Sequence, residues 1–140
     1  QIKQMREARI LLIGVGSGYT AALAAQLGAD VFAMDRFRRL CDAARRRMLD
    51  LGLGNVAVRH GDGLTGWPER GPYDRILLTG AVDEVPDVLL PQLAKGGVLI
   101  APLQTADSQV LLRLGADGTQ ERLAIAHPLP ALVEGRSRAL

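Results

Sequence analysis

The segment at residues 10–19, which reads ILLIGVGSGY, constrains this chain more than any other part of its sequence. Its four leading apolar residues predict a buried strand, and the alternating Gly14, Gly16 and Gly18 predict a tight turn. The residues that follow, as far as Leu27, predict a helix. A glycine-rich turn from a strand into a helix brings backbone N–H groups and a helix N-terminus close to a ligand. The segment therefore predicts a ligand-binding loop at one end of a strand.

An acidic residue in the next apolar run supports this interpretation. Asp35 ends the run Val31–Met34 and lies about 20 residues beyond the glycine loop, where nucleotide-binding sheets keep a carboxylate for ribose hydroxyls. A helix-capping role for Asp35 is the alternative, because a second helix is predicted directly after it. A dinucleotide fingerprint would place its third glycine where this chain has Tyr19. The observed G-x-G-x-G spacing is instead typical of loops that hold S-adenosylmethionine.

Composition sets wider limits on fold and function. A chain of 140 residues with 48% hydrophobic residues is the size of one domain and can bury a substantial core. The formal net charge is only +2, so the overall balance gives no reason to expect a nucleic-acid partner. Cys41 is the only cysteine, which excludes an intrachain disulfide and fits a reducing, cytoplasmic setting. No apolar stretch approaches the ~20 residues of a membrane span, and residues 1–9 lack the apolar core of a signal peptide.

The order of predicted elements indicates the fold class. Strands and helices alternate along much of the chain, which predicts a parallel sheet with right-handed crossovers. One of the helices is expected near Val88–Ala94, ended by the glycines at 96–97. The segments Val110–Leu114 and Arg122–Ile125 flank the turn at residues 115–118 and predict an antiparallel hairpin. The prediction is an α/β, Rossmann-like, doubly wound and mostly parallel seven-stranded sheet with this hairpin at its C-terminal end. The other predicted elements are strands at Arg9–Ile13, Val31–Met34, Ala57–Arg59, Arg75–Thr79 and Val98–Ala101, and helices at Tyr19–Leu27 and Phe37–Leu51.

Two further positions on the same edge of the sheet are candidates for ligand contact. Asp62 and Gly63 follow the third predicted strand, at the edge expected to hold the ligand. A carboxylate there can accept a hydrogen bond from an exocyclic adenine amine, although an aspartate between glycines also suits a plain turn. Thr79 ends the fourth predicted strand, where its hydroxyl either contacts the ligand or caps the following turn.

Several other polar residues have simpler interpretations. His60, His127 and Cys41 lack metal-ligand spacing, so the histidines are interpreted as ordinary polar residues, Cys41 as core, and no metal site is predicted. Ser17 is interpreted as a loop residue and not as a nucleophile, because no G-x-S-x-G motif surrounds it. The second predicted helix carries a run of arginines that either binds nucleic acid or forms a solvated face. The solvated face is preferred, since acidic residues lie among the arginines.

The residues resemble the protein-L-isoaspartate O-methyltransferase family along nearly the whole chain. The glycine loop through Tyr19 is similar to the family's first motif, and Asp35–Arg36 resembles its ribose-binding position. The Gly-Trp-Pro segment followed by Pro-Tyr-Asp is the more specific part, since most methyltransferases share the glycine loop. The similar segments are Ile13–Tyr19, Asp35–Arg36, Gly61–Gly63, Gly66–Glu69, Pro72–Ile76, Val85–Pro86 and Gln92–Gly97.

The resemblance implies a reaction and a set of binding residues. The family transfers a methyl group from S-adenosylmethionine to the free carboxylate of L-isoaspartyl residues in damaged proteins, and the ester then collapses to a succinimide that allows repair. Proteins or peptides with isoaspartyl residues are therefore the expected partners, and neither a membrane nor a nucleic acid is expected. No catalytic side chain is assigned. The residues expected to bind the cofactor are Gly14, Gly16, Ser17, Gly18, Asp35, Arg36, Asp62, Gly63 and Thr79.

The sequence departs from the family's pattern at two places. Members carry an acid two residues before the first loop glycine, where this chain has Leu12, so one polar anchor for the cofactor's methionine end is expected to be missing. Members also carry an upstream segment that covers the substrate, and residues 1–9 do not match it. We therefore expect residues 1–140 to form a single S-adenosylmethionine-binding methyltransferase domain without that segment.

Three alternatives to this leading hypothesis are kept. One is a catalytically impaired, methyltransferase-like binding domain, because of Leu12 and the unmatched upstream segment. Another is a methyltransferase with a different acceptor, RNA or a modified peptide, for which the arginine-rich helix is the support. The last is a nicotinamide-dependent enzyme, which Tyr19 at the third glycine position disfavours.

Overall fold

The computed structural model describes residues 7–16, 18–124 and 131–132. Strand and helix alternate as far as the third strand, after which the connections are short turns and 3-10 helices. The strands are β1 (Arg9–Ile13), β2 (Asp30–Asp35), β3 (Val56–His60), β4 (Tyr73–Leu78), β5 (Leu93–Gln104), β6 (Gln109–Gly115) and β7 (Gln120–Ala124), and the helices are α1 (Tyr19–Gln26) and α2 (Arg38–Asp50).

The strands form one seven-stranded sheet in the order β3-β2-β1-β4-β5-β6-β7. β1 pairs in parallel with both β2 and β4, so the strand order reverses at β1. β3 and β5 extend the parallel part on either side, and β6 and β7 complete it as an antiparallel hairpin. The predicted fold class and the terminal hairpin are confirmed. In open α/β sheets, the reversal point leaves a crevice at the carboxyl ends of the strands, where ligands bind.

The two faces of the sheet are covered differently. On one face, α1 packs buried alanines against the sheet, and α2 contributes an apolar stripe that includes Cys41 and Met48. On the other face, loop segments cover the strands, and the ring of Phe32 lies 5.8 Å from the rings of both Trp67 and Tyr73. Cys41 is buried, which confirms its interpretation as a core residue.

The helix predicted at Val88–Ala94 is wrong. This stretch forms turns and a short 3-10 helix at Leu90–Gln92, after which β5 begins at Leu93. Pro91 explains the difference, because proline lacks a backbone N–H and its ring clashes with the carbonyl four residues earlier in an α-helix. The glycines at 96–97, which we expected to end a helix, lie inside β5.

The crossover from β3 to β4 also lacks an α-helix. Two 3-10 helices, Gly63–Thr65 and Pro68–Arg70, make this connection. None of the helices in the described ranges is long and apolar enough to cross a membrane.

Candidate cofactor site

A cavity of about 500 Å³ opens at the carboxyl ends of the central strands, beside the reversal of strand order. Its volume lies in the range of ordinary small-molecule sites. Gly18 and Asp62 are predicted site residues that do not line it, and Ser17 lies outside the described residues. The predicted site residues that do line it are Gly14, Gly16, Asp35, Arg36, Gly63 and Thr79.

Glycine is required at position 14 because Thr79, at the end of a neighbouring strand, leaves no room for a side chain. Gly14 has a φ of +97°, and a Cβ built on it would lie 2.0 Å from Thr79 Oγ1. The Thr79 hydroxyl lies 2.9 Å from the Ile13 carbonyl oxygen and 3.1 Å from that of Gly14. Thr79 therefore joins the end of β4 to the start of the glycine loop, in addition to lining the cavity.

Gly16 is the loop glycine whose backbone faces open space. A Cβ at this position would meet nothing within 4 Å, and the residue lines the cavity. Gly18 differs again, since its Cβ would lie 3.1 Å from Met48 Cε, between α1 and α2. The three glycines thus differ in their surroundings: Gly14 lies against a neighbouring strand, Gly16 faces the cavity and Gly18 packs between two helices. A role for Ser17 in binding the cofactor stays a prediction.

Asp35 joins the glycine loop to the beginning of α2. Only 8% of the residue is exposed, and its Oδ2 accepts the Val15 N–H at 2.8 Å. Its Oδ1 accepts the N–H of Phe37, which occupies the N-cap position of α2, at 2.9 Å. An ionised carboxylate offers about four acceptor sites, and the contacts among the described residues use two of them. The capping alternative is wrong in its strict form, because the N-cap residue is Phe37 and no side chain of the described residues makes a cap hydrogen bond to α2. The binding role of Asp35 stays a prediction.

The turn after Asp35 forms one wall of the cavity. Arg36 and Phe37 line it, and the Arg36 guanidinium lies 4.3 Å from the centre of the Phe37 ring. Sequence reasoning missed His60, which ends β3 in register with Asp35 and whose Nε2 lies 2.9 Å from the Arg36 carbonyl oxygen. The available signal was its position at a strand end on the candidate edge of the sheet.

Asp62 caps a local turn. Its Oδ1 accepts the Leu64 N–H at 3.0 Å, at the start of the 3-10 helix Gly63–Thr65. The cavity wall at this place is formed by Gly63 and Leu64. A Cβ on Gly63 would lie 2.6 Å from Ile13 Cγ2, so this loop packs tightly against the end of β1. Adenine binding by Asp62 stays a prediction.

A distant segment completes the cavity and was not predicted. Ala131 and Leu132 line it, beside Thr79 and Gly80. Ala131 forms a parallel bridge with Ala81, whose carbonyl accepts the Leu132 N–H at 2.8 Å. No local pattern points to these residues, because the fold brings them to the site from far along the chain.

The charged residues that line the cavity, in the part of the chain that the structure describes, are Asp35 and Arg36. No group of His, Cys, Asp or Glu that could hold a metal occurs in the described ranges. Burial raises the pKa of the Cys41 thiol, and the negative charge of Asp35 acts in the same direction. The thiol therefore stays protonated at neutral pH and donates to the Asp35 carbonyl at 3.5 Å.

Comparison with known proteins identifies relatives of the whole described fold. The model of the protein-L-isoaspartate(D-aspartate) O-methyltransferase family matches residues 2–126. A protein-L-isoaspartate O-methyltransferase from Maricaulis maris is 43% identical over 135 residues, which cover 94% of this chain and 63% of that protein. Protein-L-isoaspartate O-methyltransferase 1 from Marinobacter nauticus is 46% identical over 127 residues, 89% of this chain and 58% of that protein. The chain thus spans about 60% of the length of these curated relatives.

Solved structures show the same architecture. A protein-L-isoaspartate O-methyltransferase superposes with a TM-score of 0.77 at 31% identity, over 92% of this chain and 45% of that one. A SAM-dependent methyltransferase from Thiobacillus denitrificans, solved with S-adenosyl-L-homocysteine, has a TM-score of 0.60 at 25% identity, over 69% of this chain and 42% of that one. Since the family match extends from before β1 to beyond β7, the chain belongs to the protein-L-isoaspartate O-methyltransferase family.

Proposed function

We propose that this chain binds S-adenosylmethionine and transfers its methyl group to the free carboxylate of L-isoaspartyl residues in damaged proteins. Membership of the family supports the reaction, and the cavity at the reversal of strand order supports the binding site. The observation that carries the proposal is Asp35, a nearly buried carboxylate beside the glycine loop with acceptor capacity left over.

The residues present fit this cofactor. Gly16 leaves bare backbone facing the cavity, where a side chain would obstruct a ligand. The remaining acceptor sites of Asp35 would hold ribose hydroxyls. The apolar wall formed by Phe37, Leu40 and Leu64 suits a flat adenine ring. The other proposed binding residues that line the cavity are Gly14, Arg36, Gly63 and Thr79. Ser17, Gly18 and Asp62 stay predicted members of the set.

The proposed chemistry makes modest demands on the protein. When bound, S-adenosylmethionine supplies a methyl group on a positively charged sulfur, which is already a strong electrophile. A carboxylate is ionised at neutral pH, so no side chain is needed to create the nucleophile. The chain's residues would instead bind and orient the two partners and keep water out of the cavity. Among the described residues, the charged ones that line the site are Asp35 and Arg36. This lining agrees with a role in binding and orientation.

Labelled methyl transfer tests the proposal. The chain and its longest natural form are each offered two peptides that differ only in one isoaspartyl or normal aspartyl residue. We expect base-labile label on the isoaspartyl peptide alone. Asp35→Ala should abolish labelling, whereas Asp42→Ala, which removes an exposed acid paired with Arg45, should leave it unchanged. Equal labelling of both peptides would contradict the proposed acceptor.

A catalytically impaired binding domain is the second candidate, and Leu12 favours it. This side chain is 1% exposed and packs within the core beneath the helices, so it offers the cofactor no polar anchor. Binding of S-adenosylhomocysteine without methyl transfer by the longest natural form would support this candidate. Turnover by either form would exclude it.

We further propose a cytoplasmic setting and no nucleic-acid partner. The single cysteine, Cys41, is free and buried, which suits a reducing compartment. On the arginine-rich helix, Arg45 pairs with Asp42 and donates to the Val58 carbonyl, as expected of a solvated face with local partners. RNA binding that weakens steeply with salt would contradict this part of the proposal.

A further inference from the structure

We propose that His60 is a positioning residue of the cofactor site, acting through the peptide that joins Arg36 to Phe37. The inference rests on the proposed function, because it concerns how that site is held in shape. It also goes beyond the resemblance, which assigns His60 no role.

One peptide unit is held from both sides. His60 Nε2 lies 2.9 Å from the carbonyl oxygen of Arg36, and Asp35 Oδ1 accepts the N–H of Phe37 at 2.9 Å. This carbonyl and this N–H belong to the same planar peptide and point in opposite directions in the trans form. The two contacts therefore fix the rotation of the Arg36–Phe37 peptide.

The contact also determines where the imidazole carries its proton. A carbonyl oxygen accepts hydrogen bonds and cannot donate them, so Nε2 must be the protonated nitrogen when the bond forms. His60 is half-buried, so its removal would leave the Arg36 carbonyl with restricted access to water. An apolar residue at this position should therefore release the peptide.

The same set of bonds reaches the glycine loop. Asp35 uses its other oxygen, Oδ2, to accept the Val15 N–H at 2.8 Å. Hydrogen bonds thus connect the end of β3, the turn after β2 and the loop after β1, in that order, through His60 and Asp35. If the peptide turns, Arg36 and Phe37 leave their places in the cavity wall and the Asp35 carboxylate loses one of its anchors.

Three variants test the inference by calorimetric titration with S-adenosylhomocysteine. His60→Leu removes the donor, and we expect binding to weaken about five- to fifty-fold. His60→Gln keeps an N–H donor at a similar reach and should bind within about threefold of wild type. Asn55→Leu is the matched control, because Asn55 is half-buried and donates to the Ala25 and Ala29 carbonyls at 2.9 and 2.7 Å, at the other end of the sheet. It should lower the melting temperature without changing the affinity.

Two further readouts separate positioning from a merely structural role. In methyl transfer, His60→Leu should raise the KM for S-adenosylmethionine with little change in kcat. Without ligand, it should accelerate amide exchange at Phe37 and Val15 relative to Asn55→Leu. Unchanged binding by His60→Leu, or equal weakening by His60→Leu and Asn55→Leu, would overturn the inference while wild-type binding upholds the proposed function. Absence of binding by wild type would overturn the proposed function. The exchange measurement without ligand would then still test the inference, and equal exchange at Phe37 and Val15 in His60→Leu and Asn55→Leu would overturn it.

Discussion

Two clusters of hydrogen bonds, one centred on the side chain of Asp35 and one on that of Gln92, tie loops to the sheet. They differ in what lies beside them. At the first, Asp35 accepts backbone N–H groups from Val15 and Phe37. At the second, the side chain of Gln92 accepts the Trp67 N–H at 2.9 Å and donates to the carbonyls of Thr65 and Val88 at 3.1 and 3.0 Å. Asp35 and Gln92 are both nearly buried, at 8% and 6% exposure.

The difference between the two clusters is spare hydrogen-bonding capacity. Both N–H groups of the Gln92 amide are used, and a Cβ on Gly66 would lie 2.3 Å from that amide. Within the described residues, Asp35 uses two of its about four acceptor sites, and it lines an open cavity. A buried polar group bonded to backbone is thus ordinary architecture. Unused capacity beside open space is what indicates a binding site.

Removal of the Asp35 carboxylate should have the largest effect on binding. Asp35→Ala deletes the carboxylate oxygens that accept the Val15 and Phe37 N–H groups, together with the proposed ribose contacts, so we expect affinity for S-adenosylhomocysteine to fall at least about 100-fold. Calorimetry measures this directly, with Asp42→Ala as the control. A loss below about threefold would remove Asp35 from the site and erase the contrast between the clusters.

Removal of the Gln92 amide should affect stability instead. Gln92→Leu leaves two carbonyls and one N–H without their partner, and we expect a loss of about 2–3 kcal/mol in the free energy of unfolding. Urea denaturation measures the loss. Affinity for S-adenosylhomocysteine should stay within about twofold of wild type, measured well below the unfolding transition. A large change in affinity without destabilisation would contradict the structural role of Gln92 and indicate a role in binding.

The Gln92 cluster should also respond to alkaline pH through Tyr73, whose hydroxyl donates to the Trp67 carbonyl. Burial raises the pKa of Tyr73 from 10.0 to about 12. Because the folded-state pKa is the higher one, this contribution to stability is complete below pH ~10 and is lost as pH rises towards ~12. We expect wild type to lose about 2 kcal/mol more than Tyr73→Phe over that interval, in urea titrations at successive pH values. Parallel losses would show that Tyr73 ionises freely in the folded protein.

Of these changes, a methyl group added at Gly16 should have the smallest effect, and it should act on ligand affinity. Gly16→Ala places a Cβ beside the cavity at a φ of +55°, and we expect binding to weaken about three- to tenfold. Gly52→Ala is the matched control, because Gly52 has a similar φ of +68°, its Cβ would also meet nothing within 4 Å, and it does not line the cavity. Equal affinities of the two variants would contradict a ligand over Gly16.

Sequence reasoning recovered the features that short local patterns encode. The alternation of strands and helices was sufficient to predict the parallel sheet. The glycine loop after an apolar run, with Asp35 at the end of the next strand, was sufficient to predict the edge that holds the cavity. The helix predicted at Val88–Ala94 is wrong because Pro91 breaks it, although the apolar spacing around Pro91 is that of a helix.

Other features depend on contacts between distant parts of the chain and could not be derived from spacing. His60 and Gln92 carry no motif, and their roles come from the carbonyls and N–H groups that the fold places beside them. Gly14 was predicted correctly as part of the loop, but the reason for it is Thr79 on another strand. Leu132 lies at the cavity with its N–H bonded to the Ala81 carbonyl, far away in the sequence.

Amide chemical shifts of the ¹⁵N-labelled chain during titration with S-adenosylhomocysteine test the central claim most directly, since they report both clusters at once. We expect saturable shifts at Val15, Gly16, Phe37 and Gly63, with the amides of Trp67 and Val88 nearly unmoved. Shifts centred on Trp67, or no saturable shifts at the Asp35 cluster, would contradict the placement of the cofactor.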